Sequence, residues 1–196
     1  MKRTAIIVLF AFSVVTLTGQ GNFNEFFNTS MSTNKTGMYV LGGWALANLA
    51  TGAYGWSNTT GSTKYFHQMN FFWNTINLGI AGFSFYSAAQ MTPLRMSPQE
   101  LMDAHMRFEN LYLINGGLDI AYIGTGFLLR HLSGRSQKRP DLLMGYGNSV
   151  ILQGGFLFLF DGVMYLVQRN NRLDFLNDMN LSMVPGGAML QFTHVF

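Results

Sequence analysis

Charge is what this chain lacks most. Lys, Arg, Asp and Glu make up 11% of its 196 residues, against about 25% in an ordinary soluble domain. Between Lys35 and Lys64 there is no charged residue, and none between Lys64 and Arg95. A water-exposed helix needs a polar face, and these stretches offer none. Cysteine is absent as well, which excludes disulfides, thiolate metal sites, cysteine nucleophiles and lipidated cysteines. No P-loop, dinucleotide-binding glycine fingerprint, HExxH site or nucleophile elbow occurs. The sequence therefore names no catalytic residue, metal ligand or cofactor.

What is present is an abundance of aromatic, aliphatic and small residues. Aromatics reach 15%, which excludes intrinsic disorder. Mean hydropathy is only +0.17, because the apolar stretches hold many Gly, Asn, Ser and Thr, the residues that packed membrane helices favour. The pI near 9.3 would suit nucleic acid, but the basic residues sit mostly in short loops beside apolar segments, where they set membrane orientation. Nucleic acid is thus not expected as a partner. The lipid bilayer is, with a second copy or other membrane proteins beside it.

The reading that follows is an all-α fold: an integral membrane four-helix bundle preceded by a signal peptide. Lys2 and Arg3, the apolar run Ala5 to Leu17 and the small residues Gly19-Gln20-Gly21 form an export signal over 1–21, with an uncleaved anchor as the alternative. A polar extracytoplasmic lead-in is expected over 22–36, the bundle over 37–168 and a polar tail over 169–196. The four spans are Gly37–Trp56, Gln68–Gln90, Phe108–Leu132 and Gly147–Gln168, each near the ~20 residues that a bilayer requires. Ser97-Pro98-Gln99-Glu100 reads as a capping box that starts the third helix before its span.

Orientation follows from the loops. Arg130, Arg135, Lys138 and Arg139 crowd one connection and Lys64 another, whereas basic and acidic residues balance in the segments on the opposite side. This predicts the bacterial inner membrane, with the mature N-terminus and the C-terminus outside the cytoplasm. The alternative is an outer-membrane barrel, because Ala188–Phe196 alternates like a closing strand; Phe71–Phe85 and Val150–Leu159 do not alternate.

The spans carry polar residues in phase. His67, Asn70, Asn74 and Asn77 share one face of the second helix with Ala81, Ser84 and Ala88. Tyr112, Asn115, Asp119 and Tyr122 form a stripe on the third helix, and Gln153 and Asp161 lie two turns apart on the fourth. With Asn48 from the first helix, these residues are expected to meet in one buried polar layer: Asn48, Asn70, Asn74, Asn77, Asn115, Asp119, Gln153 and Asp161. Two uses are open. The amides and acids can hydrogen-bond helices into register, or Asp119 and Asp161, with no Lys or Arg in any span core, can hold a proton, a cation or a polar ligand. The first makes the chain a structural or partner-binding membrane component, and the second a small proton- or cation-linked transporter. A haem or metal between His67 and His131 at neighbouring span ends is a weaker option. Small-residue stripes, Gly43-Ala47-Thr51-Gly55 on the first helix and Gly117-Ala121-Thr125 on the third, are expected to let helices approach closely. Glu109 reads as an interfacial anchor, and the tryptophans read as aromatic belts.

The segments Tyr65-Phe66-His67-Gln68-Met69-Asn70 with Trp73-Asn74 and Asn77, then Asn115-Gly116-Gly117-Leu118-Asp119, then Gln153-Gly154-Gly155-Phe156 with Phe160-Asp161, resemble an uncharacterised family of small polytopic bacterial membrane proteins. The likeness covers about residues 38 to 168. It implies that the Asn and Asp positions belong to a family pattern, and it brings no activity.

Overall fold

A computed structural model describes the backbone of residues 2–90 and 95–182, with side chains from 23 to 90 and from 95 to 179. The described residues form four helices and no strand: α1 (Lys2–Asn58), α2 (Gly61–Gln90), α3 (Pro98–Ser133) and α4 (Pro140–Ser182). The tail whose alternation suggests a barrel strand, Ala188–Phe196, lies outside the described residues. Among the described residues one helix, over Pro140–Met179, is long and apolar enough by length and composition to cross a membrane.

Two helix starts follow directly from local chemistry. Ser97 caps α3: its hydroxyl accepts from the Glu100 amide at 3.3 Å while Glu100 Oε2 accepts from the Ser97 amide at 2.7 Å, so two orphan donors are satisfied reciprocally. That contact also holds the Glu100 carboxyl below the usual carboxylate range. The α1–α2 connection turns at Gly61, whose φ of +59° lies in the left-handed region that side chains with a Cβ avoid.

The helices run alternately up and down. The α1–α2 and α3–α4 connections lie at the same end, where Gly61 sits beside Asp141 and Gly145 packs against Ser62 and Phe66. Lys64, Arg130, Arg135, Lys138 and Arg139 therefore gather at this basic end. At the other end α2 stops at Gln90 while α1, α3 and α4 form a three-helix annex, whose core is Phe27, Leu101 and Ala104 with Phe23 and Met31 packed on it. Sequence alone suggests a short polar lead-in over 22–36. The structure places those residues within α1, with Phe26, Phe27, Ser30 and Asn34 buried in the annex and the bundle. The C-terminal segment likewise begins as helix, since α4 runs on to Ser182.

Polarity is inverted relative to a soluble bundle. Among the described residues, fourteen polar or charged side chains are buried against eleven apolar ones. Large apolar side chains point outward along every helix, including Leu46 on α1, Ile76 and Phe83 on α2, Ile114 and Phe127 on α3, and Leu159 and Val163 on α4. Such a surface would be a liability in water, where exposed apolar patches drive association.

Close helix approach occurs on the stripes that spacing suggests only at Gly55. Gly43 and Gly117 have open space where a Cβ would stand, and Ala47, Thr51, Ala121 and Thr125 are exposed with them. Elsewhere the contacts fall one position round, at Gly52 beside Thr51 and Gly126 beside Thr125. Gly52 meets the α2 backbone at Phe71, Gly55 lies under the His67 ring, and Gly126, Gly147 and Gly154 bring α3 and α4 into backbone contact. Fourfold spacing fixes a face but not which way it turns, and the polar residues turn it. On α3 the buried series is Tyr112, Asp119, Gly126 and Ser133, seven apart, as a seam between packed helices requires.

Candidate functional site

The eight candidate polar residues do not make one layer. They divide into a saturated amide network toward the basic end and an unsaturated acid pair toward the annex.

Gln153 is the hub of the first. Fully buried on α4, it donates through Nε2 to Asn70 Oδ1 at 3.0 Å and to Asn48 Oδ1 at 3.4 Å, and its Oε1 accepts from Trp44 Nε1 at 2.9 Å. Ser149 Oγ donates to the same Asn70 oxygen at 2.6 Å. Asn48 and Asn74 each return an N–H to their own helix, to the carbonyls of Trp44 and Asn70. Three helices, α1, α2 and α4, are thereby tied at one level. Trp44 is no belt residue: its ring stacks on Phe156 with centroids 3.9 Å apart, and its N–H completes the network.

Asp119 on α3 and Asp161 on α4 are 2% and 4% exposed and face one another closely enough to share a hydrogen bond. Asp119 Oδ2 is buried without a partner. Two carboxylates have no proton to share, so this contact is satisfied only when one acid is protonated or a donor comes between them. Both line a cleft of about 330 Å³, together with Asn77, Asn115, Tyr112, Trp73 and Tyr122, a volume typical of small-molecule sites. Asn77 spends an N–H on Asn74 Oδ1 at 3.4 Å, which leaves its own oxygen for a donor. Asn115, expected to be buried, is exposed on α3 and belongs to the cleft lining. Tyr112 is committed elsewhere, donating to Asn34 Oδ1 at 2.6 Å.

The cleft exists because α2 and α3, alone among the helix pairs, scarcely pack on each other. Trp73 and Tyr122 meet across the gap, edge to face at 4.9 Å. Ile76, Ile80 and Leu118 form its lips and are exposed.

A second buried cluster lies in the annex. Ser30 Oγ is 2.7 Å from His105 Nδ1, His105 Nε2 is 2.8 Å from Glu109 Oε1, and Arg172 grips Glu109 through Nε at 2.7 Å and a terminal nitrogen at 3.1 Å. Gln168 accepts from Ser30 Oγ and donates to the Ser30 carbonyl, both at 3.0 Å. Glu109 is thus no interfacial anchor reaching water, being 3% exposed and held by the Arg172 guanidinium and the His105 ring. Hydroxyl, imidazole and carboxylate stand in line as in a hydrolase relay. However, Ser30, His105 and Gln168 are all 0% exposed, so no substrate reaches the hydroxyl and the cluster serves to lock α1, α3 and α4 together. Burial, opposed by Glu109, holds the His105 imidazole below its usual range. The signal for this cluster is present in the sequence: His105 and Glu109, and Gln168 and Arg172, are four apart and so share faces of their helices.

Among the described residues no group of three potential metal ligands comes together. His67 lies over Gly55 with Nδ1 buried and unpartnered, and His131 is exposed at the basic end.

No curated protein and no solved structure gives a significant match. A family model does, over residues 40–162, a span that holds the whole amide network and both acids, and the chain therefore belongs to the Family of unknown function (DUF6992).

Proposed function

We propose that this chain is a polytopic inner-membrane protein that binds a proton or a small cation at Asp119 and Asp161, as part of a small proton- or cation-linked transporter. The observation that carries the reading is an unpartnered buried carboxylate beside a second acid in an open cleft. A structural layer closes its hydrogen bonds, as Gln153 does. This pair leaves an acceptor open.

Membrane placement is supported by the inverted polarity: apolar side chains outside, Asn, Gln and Asp inside. Four spans at 37–56, 68–90, 108–132 and 147–168 fit it, and the basic end then faces the cytoplasm. The annex stands on the outer side. Because the chain has no cysteine, single introduced cysteines test this cleanly. Gln99→Cys should react with an impermeant maleimide in intact cells, and Ser136→Cys only after permeabilisation. A chain recovered in the detergent-free supernatant would defeat the reading. For the acids, infrared titration of reconstituted protein should show a protonated carboxyl band that Asp119→Asn/Asp161→Asn removes.

A second reading, a structural or partner-binding component, is favoured by the amide network alone. It predicts that the same double substitution leaves proton uptake unchanged.

A further inference from the structure

We infer that the cleft between α2 and α3 takes a lipophilic amine, a protonated nitrogen on an apolar body, entering sideways from the hydrocarbon phase. This rests on the membrane placement and acid-pair site proposed above, and it names the ligand and its route. Three features converge on that chemistry.

The first is polarity of hydrogen bonding. Asp119 Oδ2 lacks a donor, Asp161 faces it, and Asn77 has given one of its two N–H groups to Asn74. The charge-bearing groups at the base of the cleft are thus both acceptors, with one oxygen open, while the Tyr112 hydroxyl is spent on Asn34. An ammonium brings several N–H donors and the positive charge that a pair of acids lacks, and no Lys or Arg lines the cleft to compete. Aliphatic alcohols bring one donor and no charge, and carboxylates bring no donor and a charge of the wrong sign.

The second is the wall. Trp73, Ile76, Ile80, Leu118, Tyr122, Leu157 and Phe160 surround these few oxygens, which suits an organic body better than a bare metal ion wanting six or more oxygen ligands. Aromatic faces near the acids also favour a cation.

The third is the opening. Helices α2 and α3 scarcely pack on each other, and the lip residues Ile76, Ile80 and Leu118 are 65%, 53% and 47% exposed. They belong to the outward apolar surface, so the way in leads through lipid, and a lipid-soluble ligand reaches it without crossing water.

Brominated octylamine, octanol and octanoate, added to the full chain in phosphatidylcholine nanodiscs, test the assignment by quenching Trp73. The Trp73→Phe variant supplies the background from Trp44 and Trp56. Expected is saturable quenching by the amine, reversed by unbrominated octylamine, with affinity about tenfold or more above the alcohol and none for the carboxylate. Asp119→Asn/Asp161→Asn should erase the preference; should that variant not fold, Asp161→Asn alone should reduce it. Equal binding of alcohol and amine, or a preference that survives these substitutions, overturns the inference. A carboxyl infrared band that titrates without any amine preference would leave the proton site standing and this ligand excluded. Absence of the band would remove both.

Discussion

Replacing Gln153 with Leu keeps the volume of the hub and removes every hydrogen bond it makes. Asn70 Oδ1 keeps its donor, since Ser149 remains at 2.6 Å. Asn48 Oδ1 and the Trp44 N–H lose theirs. Side-chain bonds between membrane helices average about 0.6 kcal/mol and reach about 1.7, and a stranded buried polar group costs about 1 to 3 kcal/mol. The Asn48 contact is long at 3.4 Å and Trp44 is only half-buried, so both fall toward the lower ends. The sum is a loss of about 2 to 3 kcal/mol. Reversible unfolding in mixed micelles, followed by the Trp44 environment and by circular dichroism, measures it. A double-mutant cycle with Trp44→Phe isolates the shortest bond of the hub, and the coupling should be about 0.6 to 1.5 kcal/mol. A Gln153→Leu protein within about 0.5 kcal/mol of the parent, with no coupling to Trp44, would refute the claim that this network ties the helices.

Glu109→Gln should destabilise the annex by about 2 to 3 kcal/mol, below the usual range for a broken buried pair because Arg172 keeps some solvent; Arg172→Met should cost less, since His105 still faces the carboxylate, and the same unfolding assay ranks the two. Because burial lowers the His105 pKa from 6.5, the unfolded chain takes up that proton first as pH falls. The residue's contribution is therefore complete above about 6.5 and shrinks on acidification toward the folded pKa, and His105→Gln should flatten that acid limb of a stability–pH curve. Gly126→Ala should cost about 1 to 3 kcal/mol, because its Cβ would stand 2.8 Å from the Gly147 carbonyl oxygen. Gly117→Ala, with open space around it, should be neutral or stabilising by up to about 1 kcal/mol; equal thermal shifts for the two alanines would contradict the packing described.

Periodicity and end signals were legible from residues alone. The four helices, the Ser97 cap and the inward face of α2 from Asn70 to Ala81 all follow from spacing, because spacing is a property of a single helix. What spacing cannot carry is the rotation and depth of one helix against another. That is why Gly43 and Gly117 looked like contact residues and Gly52 and Gly126 did not, and why the tryptophans looked like belts when Trp44 is a donor to Gln153. The annex was hidden for a related reason. Asn22–Thr36 is polar by composition, yet Phe26, Phe27, Ser30 and Asn34 share one side of α1 and are buried there.

The division of the polar residues bears on how a fixed scaffold and a receptive site coexist in so small a bundle. Gln153 and Asp161 sit on one face of one helix, eight residues and ~12 Å apart. At Gln153 every buried polar atom is matched, and the three helices it joins cannot shift without breaking bonds. At Asp161 the fourth helix, α3, stands away from α2, and an oxygen of Asp119 is left open. Rigidity at the first level is what allows the second to stay unfilled: without the amide ties, α2 would close on α3 to cover its own polar face. Loss of Gln153 should therefore collapse the cleft as well as weaken the fold. On that reasoning Gln153→Leu diminishes ligand quenching of Trp73 even under conditions where the protein remains folded, whereas Glu109→Gln, acting in the annex, weakens the fold and leaves the quenching intact.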